Sequence, residues 1–145
     1  MNEEMKVMLV DDNEIDLYLH EKMLSVAGIS NDVTPFLSVK EAIRFLKSNA
    51  RKPAKLPDLI LLDIQMPGLN GFDFLDSFET LPIEVIDQVS IFMVSSTLDR
   101  GDLHRARRSP FVRRILRKPL NLKDISTAVN YLLEERDEEA NGNSD

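Results

Sequence analysis

The chain has 145 residues, a length typical of one domain. It contains no cysteine, which excludes a disulfide scaffold, a thiolate zinc site and a cysteine nucleophile, and which suits a cytoplasmic location. The net charge of −7 disfavours a free-standing nucleic-acid binder. The most apolar stretch, 59–62, is far shorter than the roughly 20 residues of a membrane helix, and no export segment is expected.

The first part of the chain predicts two pairs of a strand and a helix. Residues 5–10 are a short apolar run typical of a buried strand, and apolar residues at helical spacing follow over 13–27. A weaker strand is predicted over 31–36, and it should lie at a sheet edge because Pro35 cannot donate a ladder hydrogen bond. A capping-box pattern opens the next predicted helix at 38–47.

Residues 58–63 are the clearest buried strand, and a turn-rich loop follows at 66–71. The remaining predicted segments, in chain order, are a helix at 72–81, a short turn or helix at 83–89, a strand at 90–95, a helix at 99–108, a strand at 111–117 and a helix at 121–135. This alternation predicts an α/β fold, a doubly wound five-stranded parallel sheet with helices on both faces. Ligands of such folds bind outside the carboxyl ends of the strands.

Charged and hydroxyl side chains stand where four of the five predicted strands end, namely Asp11, Asp12, Asp63, Ser95 and Lys118. Three carboxylates meeting there cannot all stay ionised and bare, so either one is protonated or a cation lies among them. An all-oxygen site with few protein ligands suits Mg²⁺, for which Mn²⁺ could substitute. An Asp carboxylate can also accept a phosphoryl group, with a hydroxyl and a lysine to contact its oxygens.

Other interpretations of the same residues stay open. Asp11 and Asp12 could serve only to cap the helix that follows, and Asp63 could be an ordinary loop residue. A flavodoxin-like cofactor binder is disfavoured, because Asp11 and Asp12 replace the phosphate loop expected after the first strand. A phosphatase with an Asp nucleophile would need a second Asp where Gln65 stands.

Taken together, these motifs resemble the receiver domain of two-component response regulators, over about residues 5–135. The residues that carry the resemblance are Val7-Met8-Leu9-Val10-Asp11-Asp12-Asn13, Leu59-Ile60-Leu61-Leu62-Asp63-Ile64-Gln65-Met66-Pro67-Gly68, Asn70-Gly71, Val94-Ser95-Ser96 and Lys118-Pro119. The resemblance implies a CheY-like, or flavodoxin-like, sheet of strand order 2-1-3-4-5. It also implies a signalling protein that catalyses only its own phosphoryl transfer and dephosphorylation.

The resemblance assigns a role to each site residue. It implies Asp63 as the phosphoacceptor, and a Mg²⁺ site formed by Asp11, Asp12, Asp63 and the backbone carbonyl of Gln65. It implies that Ser95, Ser96 and Lys118 contact the phosphoryl group, and that Gln65 and Thr97 tune its lifetime. The phosphodonor would be a phosphohistidine of a sensor kinase or of a phosphotransfer protein.

Two positions depart from the family pattern. Ser95 stands where threonine is commoner, but the hydroxyl is kept. Ile115 stands where the family often has Tyr or Phe as a switch residue, so an aromatic rotamer cannot report phosphorylation at this position. An alternative function is therefore an interaction module or dimerising adaptor with little phosphorylation-driven switching.

The chain is expected to act as a stand-alone receiver over 1–135, with an acidic tail over 136–145 and a phytochrome-type kinase as one candidate partner. Residues 100–118 hold eight basic residues against Asp102, a net charge of +7, which favours a docking or homodimer face within 99–135. His20 and His104 are both predicted to lie on the surface. No nucleic acid or membrane partner is expected.

Overall fold

The computed structural model describes residues 4–97 and 99–142. Its strands are Lys6–Val10 (β1), Asp32–Phe36 (β2), Leu59–Asp63 (β3), Ser90–Ser95 (β4) and Val112–Arg117 (β5). Its helices are Glu14–Val26 (α1), Val39–Ser48 (α2), Gly71–Phe78 (α3), Ile83–Gln88 (α4), Arg100–Arg108 (α5) and Leu122–Gly142 (α6), with a 3₁₀ turn at Pro53–Lys55. The strands form one parallel sheet of order β2-β1-β3-β4-β5, which confirms the predicted fold class.

Apart from polar residues at their ends, the central strands β1, β3 and β4 are apolar, because both faces of the sheet are covered. In β3, Ile60 and Leu62 face a core formed with α2, α3, α4 and α5, whereas Leu59 and Leu61 face a second core formed with α1 and α6. Side chains alternate between the faces of a strand, so one run of leucine and isoleucine serves both cores. The ends of β1, β3 and β4 are thereby fixed side by side.

Strand β2 lies at one edge of the sheet, as Pro35 predicted. Helix α4 is the short extra element suggested by residues 83–89. Helix α2 begins where it was predicted, with Ser38 Oγ accepting a hydrogen bond from the backbone N–H of Glu41, which is one of the two bonds of a capping box. The sequence was sufficient to predict these three features, because each depends on residue types within one short segment of the chain.

Helix α6 continues beyond its predicted end at residue 135. Arg136 contacts the side of the sheet where the strands begin, opposite to their carboxyl ends. Its guanidinium donates to the backbone carbonyls of Asp58 and Gln88, at 2.9 and 3.1 Å, and to Ser90 Oγ at 3.1 Å. Since these groups lie where β3 and β4 begin, the last helix is tied to both strands.

One sequence-based expectation about the surface was wrong. His104 is exposed, but His20 is buried, with 6% of its surface accessible. His20 lies on the side of α1 that packs against the sheet, near Leu17 and Leu24 in the chain. The burial of His20 was not predicted, because charged residues neighbour it in the sequence. Within the described residues, no helix combines the length and apolarity needed to cross a membrane.

Candidate functional site

Asp11 and Asp12 follow directly after β1. The Asp11 side chain is 3% exposed, and its Oδ1 accepts a hydrogen bond of 2.9 Å from the backbone N–H of Asn13. Asn13, and neither aspartate, caps helix α1 with its side-chain oxygen. The interpretation of Asp11 and Asp12 as simple helix caps therefore does not account for their placement.

Asp63 ends β3, the strand beside β1, and is 6% exposed. Carboxylate oxygens of Asp11, Asp12 and Asp63 all lie within 4.8 Å of one another. This donor set is the kind that a small hard cation such as Mg²⁺ prefers, since it supplies charge while leaving room for water ligands. The three predicted carboxylates are thus brought together, and their chemistry fits the ion.

Lys118 lies at the end of β5, and its backbone N–H donates to the carbonyl of Ser95 at 2.8 Å. Its ammonium is 2.7 Å from Asp11 Oδ2 and 3.4 Å from Asp63 Oδ2. The ammonium therefore sits beside the candidate phosphoacceptor, where it would neutralise a developing negative charge.

A further carboxylate, Asp16, takes part in the site and was missed in the sequence. Its Oδ2 accepts a hydrogen bond of 2.9 Å from the Lys118 ammonium. Asp16 is the third residue of α1, and its own backbone N–H is held by the Asn13 cap. An acid in the first turn of a helix is commonplace, so only the cap register of Asn13 could have drawn attention to it.

Ser95 is fully buried at the end of β4, and its hydroxyl faces Gln65 and Thr97. Ser95 Oγ lies 2.9 Å from Gln65 Oε1 and 2.6 Å from the carbonyl of Thr97. The Gln65 amide donates onward to Thr97 Oγ1 at 2.7 Å and to Asp102 at 3.3 Å. The two predicted tuning residues are therefore hydrogen-bonded to one another, and Gln65 is also hydrogen-bonded to helix α5.

The remaining predicted positions are Ile115 and Ser96. Ile115 is half-buried in β5 and packs against the core that α2 and α3 cover. Ser96 is exposed directly after β4, next to Ser95. No aromatic side chain stands at the switch position, as the sequence already established.

The cationic stretch on α5 and β5 is partly used in intramolecular contacts. The Arg105 guanidinium lies 4.3 Å from the ring centre of Phe72, and the Arg114 guanidinium lies 5.0 Å from that of Tyr131. Arg113 is paired with Glu135 at 3.7 Å. Glu135 lies at the end of the helix predicted over 121–135, so one acid of that helix contacts the basic face.

Burial and neighbouring charges shift the pKa values of the site residues in opposite directions. Burial raises the pKa of Asp63 to about 6, while the Lys118 ammonium opposes that rise. Burial alone would lower the pKa of Lys118, but its hydrogen bonds to Asp11 and Asp16 outweigh this and raise it. Burial, followed by the field of Lys118, lowers the pKa of His20. Lys118 is therefore cationic, and a further positive charge beside Asp63 would favour the ionised form of its carboxyl.

Binding of Mg²⁺ is expected to weaken as the pH falls below about 6. The folded-state pKa of Asp63 is raised from 3.8 to about 6, so protonation stabilises the metal-free fold fully below pH 3.8, and this stabilisation is lost as the pH rises through about 6. A bound divalent ion needs the ionised form, so protons compete with it. Calorimetric titration with Mg²⁺ should show affinity falling about tenfold per pH unit below that point.

The matched control is Asp63→Asn, which should bind Mg²⁺ more weakly and with a shallower dependence on pH. An affinity in the unmutated protein that stays constant down to about pH 5 would contradict the ionisation assigned to Asp63.

The chain is similar to known proteins in both sequence and fold. The family model of the response regulator receiver domain matches residues 7–130. A crystal structure of a response regulator receiver protein from Dyadobacter fermentans is 38% identical, with a TM-score of 0.74, over 83% of this chain and 91% of that one. A bacteriophytochrome response regulator, AtBRR, shares the fold at 24% identity, with a TM-score of 0.72 over 89% of this chain and 92% of that one.

Among curated proteins, a protein-glutamate methylesterase/protein-glutamine glutaminase of Rhizobium etli is 36% identical over 103 residues. That match covers 66% of this chain but 24% of the methylesterase, so it concerns one part of a larger protein. The matched family, the strand order and the motifs at the strand ends all agree. The chain belongs to the response regulator receiver domain family, a module of two-component signalling.

Proposed function

We propose that this protein accepts a phosphoryl group on Asp63 and signals through the phosphorylated state. The observation that carries this proposal is the meeting of Asp11, Asp12 and Asp63 within 4.8 Å, with the Lys118 ammonium 3.4 Å from Asp63. A buried carboxylate beside two further acids and one lysine has the groups that phosphoryl transfer needs, namely a nucleophile and fixed positive charge.

In the proposed reaction, a carboxylate oxygen of Asp63 attacks the phosphorus of a phosphohistidine. A phosphorus–oxygen bond forms and the phosphorus–nitrogen bond breaks, so the imidazole nitrogen leaves with its electron pair and takes a proton from water. Lys118 would neutralise one phosphoryl oxygen. The hydroxyl of Ser95 would turn from Gln65 and Thr97 and, with the backbone N–H of Ser96, donate hydrogen bonds to another.

The metal site of the proposal consists of Asp11, Asp12, Asp63 and the backbone carbonyl of Gln65. A bound Mg²⁺, or Mn²⁺ in its place, would offset the negative charge shared between the carboxylates and the incoming phosphoryl oxygens. Gln65 and Thr97, which are hydrogen-bonded to each other at 2.7 Å, would limit the access of water and so set the phosphoryl lifetime.

The proposed partners follow from the same chemistry. A sensor histidine kinase or a phosphotransfer protein would supply the phosphohistidine, and the likeness to a bacteriophytochrome response regulator supports a phytochrome-type kinase as a candidate. We propose that a second copy docks on the basic 99–135 face, and that the protein acts in the cytoplasm by docking or by phosphorelay. No reaction on a separate substrate is proposed.

A second candidate function rests on Ile115. Without an aromatic switch there, the protein could act as a dimerising adaptor whose phosphorylation changes little else. The basic face, with Arg107 and Arg114 exposed, supports this alternative. Pull-down of partners with and without beryllium fluoride, a phosphoryl mimic, separates the two: equal capture in both conditions favours the adaptor.

Incubation with acetyl phosphate and Mg²⁺ is expected to add one phosphoryl group per chain, because acetyl phosphate can replace the protein phosphodonor. Intact-protein mass spectrometry measures the addition, and hydroxylamine should remove it, since acyl phosphates react with this nucleophile. A chelator of divalent ions is the control and should prevent labelling. Full labelling in the presence of the chelator would contradict the metal site, and no labelling at all would contradict the proposal.

A further inference from the structure

The Lys118 ammonium is shared between three carboxylates. It lies 2.7 Å from Asp11 Oδ2, 2.9 Å from Asp16 Oδ2 and 3.4 Å from Asp63 Oδ2. The first two contacts are well-formed hydrogen bonds, whereas the third is a longer ion pair. An ammonium has three protons to donate, and Asp11 and Asp16 accept hydrogen bonds from it before any phosphoryl group arrives.

Asp11 and Asp16, which both accept hydrogen bonds from Lys118, belong to different structural elements. Asp11 follows β1, is almost fully buried, and also accepts a hydrogen bond from the backbone N–H of Asn13. Asp16 belongs to α1, and its side chain is 31% exposed. Asp16 lies outside the cluster that Asp11, Asp12 and Asp63 form. Among the described residues, its ion pair is with Lys118 alone.

We propose that Asp16 is a positioning residue that competes with the phosphoryl group on Asp63 for Lys118. This inference rests on the proposed function of Asp63. A phosphoryl group would bring additional negative charge to the 3.4 Å side of the ammonium, where the contact is longest. Asp16 holds the same ammonium by a charged hydrogen bond of 2.9 Å, so movement of the ammonium toward a phosphoryl oxygen on Asp63 has to lengthen that bond.

The competition predicts a direction that simple loss of a structural contact does not. Asp16→Asn keeps the size of the side chain but removes its charge, which leaves Lys118 freer to pair with an anion on Asp63. The affinity for beryllium fluoride, with Mg²⁺ in excess, should therefore rise by about two- to fivefold, the range of one partly exposed charge pair. A residue that merely supported the site would lower this affinity when altered.

Fluorine NMR or calorimetric titration with beryllium fluoride measures the effect. Asp16→Glu, which restores the charge, should bind like the unmutated protein. The matched control is Glu14→Gln, which removes a charge from the same exposed turn of α1 and should leave the affinity unchanged. Circular dichroism verifies that each variant is folded.

The dependence on Lys118 is tested in a second background. In Lys118→Met, the further change Asp16→Asn should have no effect, because the group through which Asp16 acts is gone. An equal gain in that background would show direct repulsion of the anion by Asp16 and would overturn the inference, as would unchanged or weaker binding by Asp16→Asn alone.

The two proposals fail differently. Binding of beryllium fluoride by the unmutated protein without the Asp16 effect overturns the role of Asp16 and leaves that of Asp63 standing. Absence of binding by the unmutated protein overturns the proposed function and this inference with it.

Discussion

Replacing Asp63 with asparagine is expected to reduce phosphoryl labelling by acetyl phosphate to background. The asparagine amide cannot attack phosphorus as a carboxylate does, and it removes one of the three acids that lie within 4.8 Å of one another. The fold should survive this change, because burial raises the pKa of Asp63 to about 6, so its charge costs stability in the metal-free protein and a neutral amide of the same size avoids that cost. Loss of label would then report chemistry and not unfolding.

Two other substitutions serve as comparisons for Asp63→Asn, one in the metal site and one on the surface. Asp12→Asn should slow labelling and shift its Mg²⁺ dependence to higher concentration, yet still permit label at saturating metal. Asp76→Asn, on the exposed side of α3, should behave as the unmutated protein does. Full labelling of Asp63→Asn would move the acceptor to another residue, and peptide mapping of the label would identify it.

Replacing Gly71 with alanine is expected to cost about 3 kcal/mol of unfolding free energy. A Cβ atom there would lie 2.6 Å from the backbone oxygen of Asp63, 2.9 Å from Cε of Met93 and 3.0 Å from Cα of Ile64. Two of these three atoms belong to backbone that the sheet fixes, so they cannot move aside cheaply. Urea unfolding followed by circular dichroism measures the loss.

Gly28→Ala is the comparison for this prediction. Gly28 also resists substitution, since its φ is +71°, but no atom lies within 4 Å of the added Cβ. Its cost should be about 1 kcal/mol, from backbone strain alone. If Gly71→Ala were no more destabilising than Gly28→Ala, the close contact between α3 and the end of β3 would be wrong. Gly71→Ala should also weaken Mg²⁺ binding, because the displaced backbone carries Asp63.

The sequence predicted the sheet because the signals for it are local and repeated. Each buried strand is a short apolar run, and Pro35 in the weakest one could be accommodated only at an edge. The end of α6 could not be predicted in this way. Residues after 135 are polar and acidic, and the contact that continues the helix is between Arg136 and backbone carbonyls far away in the chain.

Within the site, the meeting of Asp11, Asp12, Asp63 and Lys118 was predictable, since parallel strands bring their carboxyl ends to one edge. Asp16 was not, because its part depends on a side-chain contact between a helix and a distant loop. His20 was misplaced for a related reason: the apolar and polar residues of α1 are interleaved, so the pattern does not single out the side that packs on the sheet.

Arg136 sets where this protein can be shortened. Its three hydrogen bonds close the starts of β3 and β4, the same two strands that finish in Asp63 and Ser95. The family match stops at residue 130, so a chain trimmed to that boundary would lose the Arg136 hydrogen bonds to the carbonyls of Asp58 and Gln88. The last helix, Leu122–Gly142, therefore continues past the stretch that the family model matches.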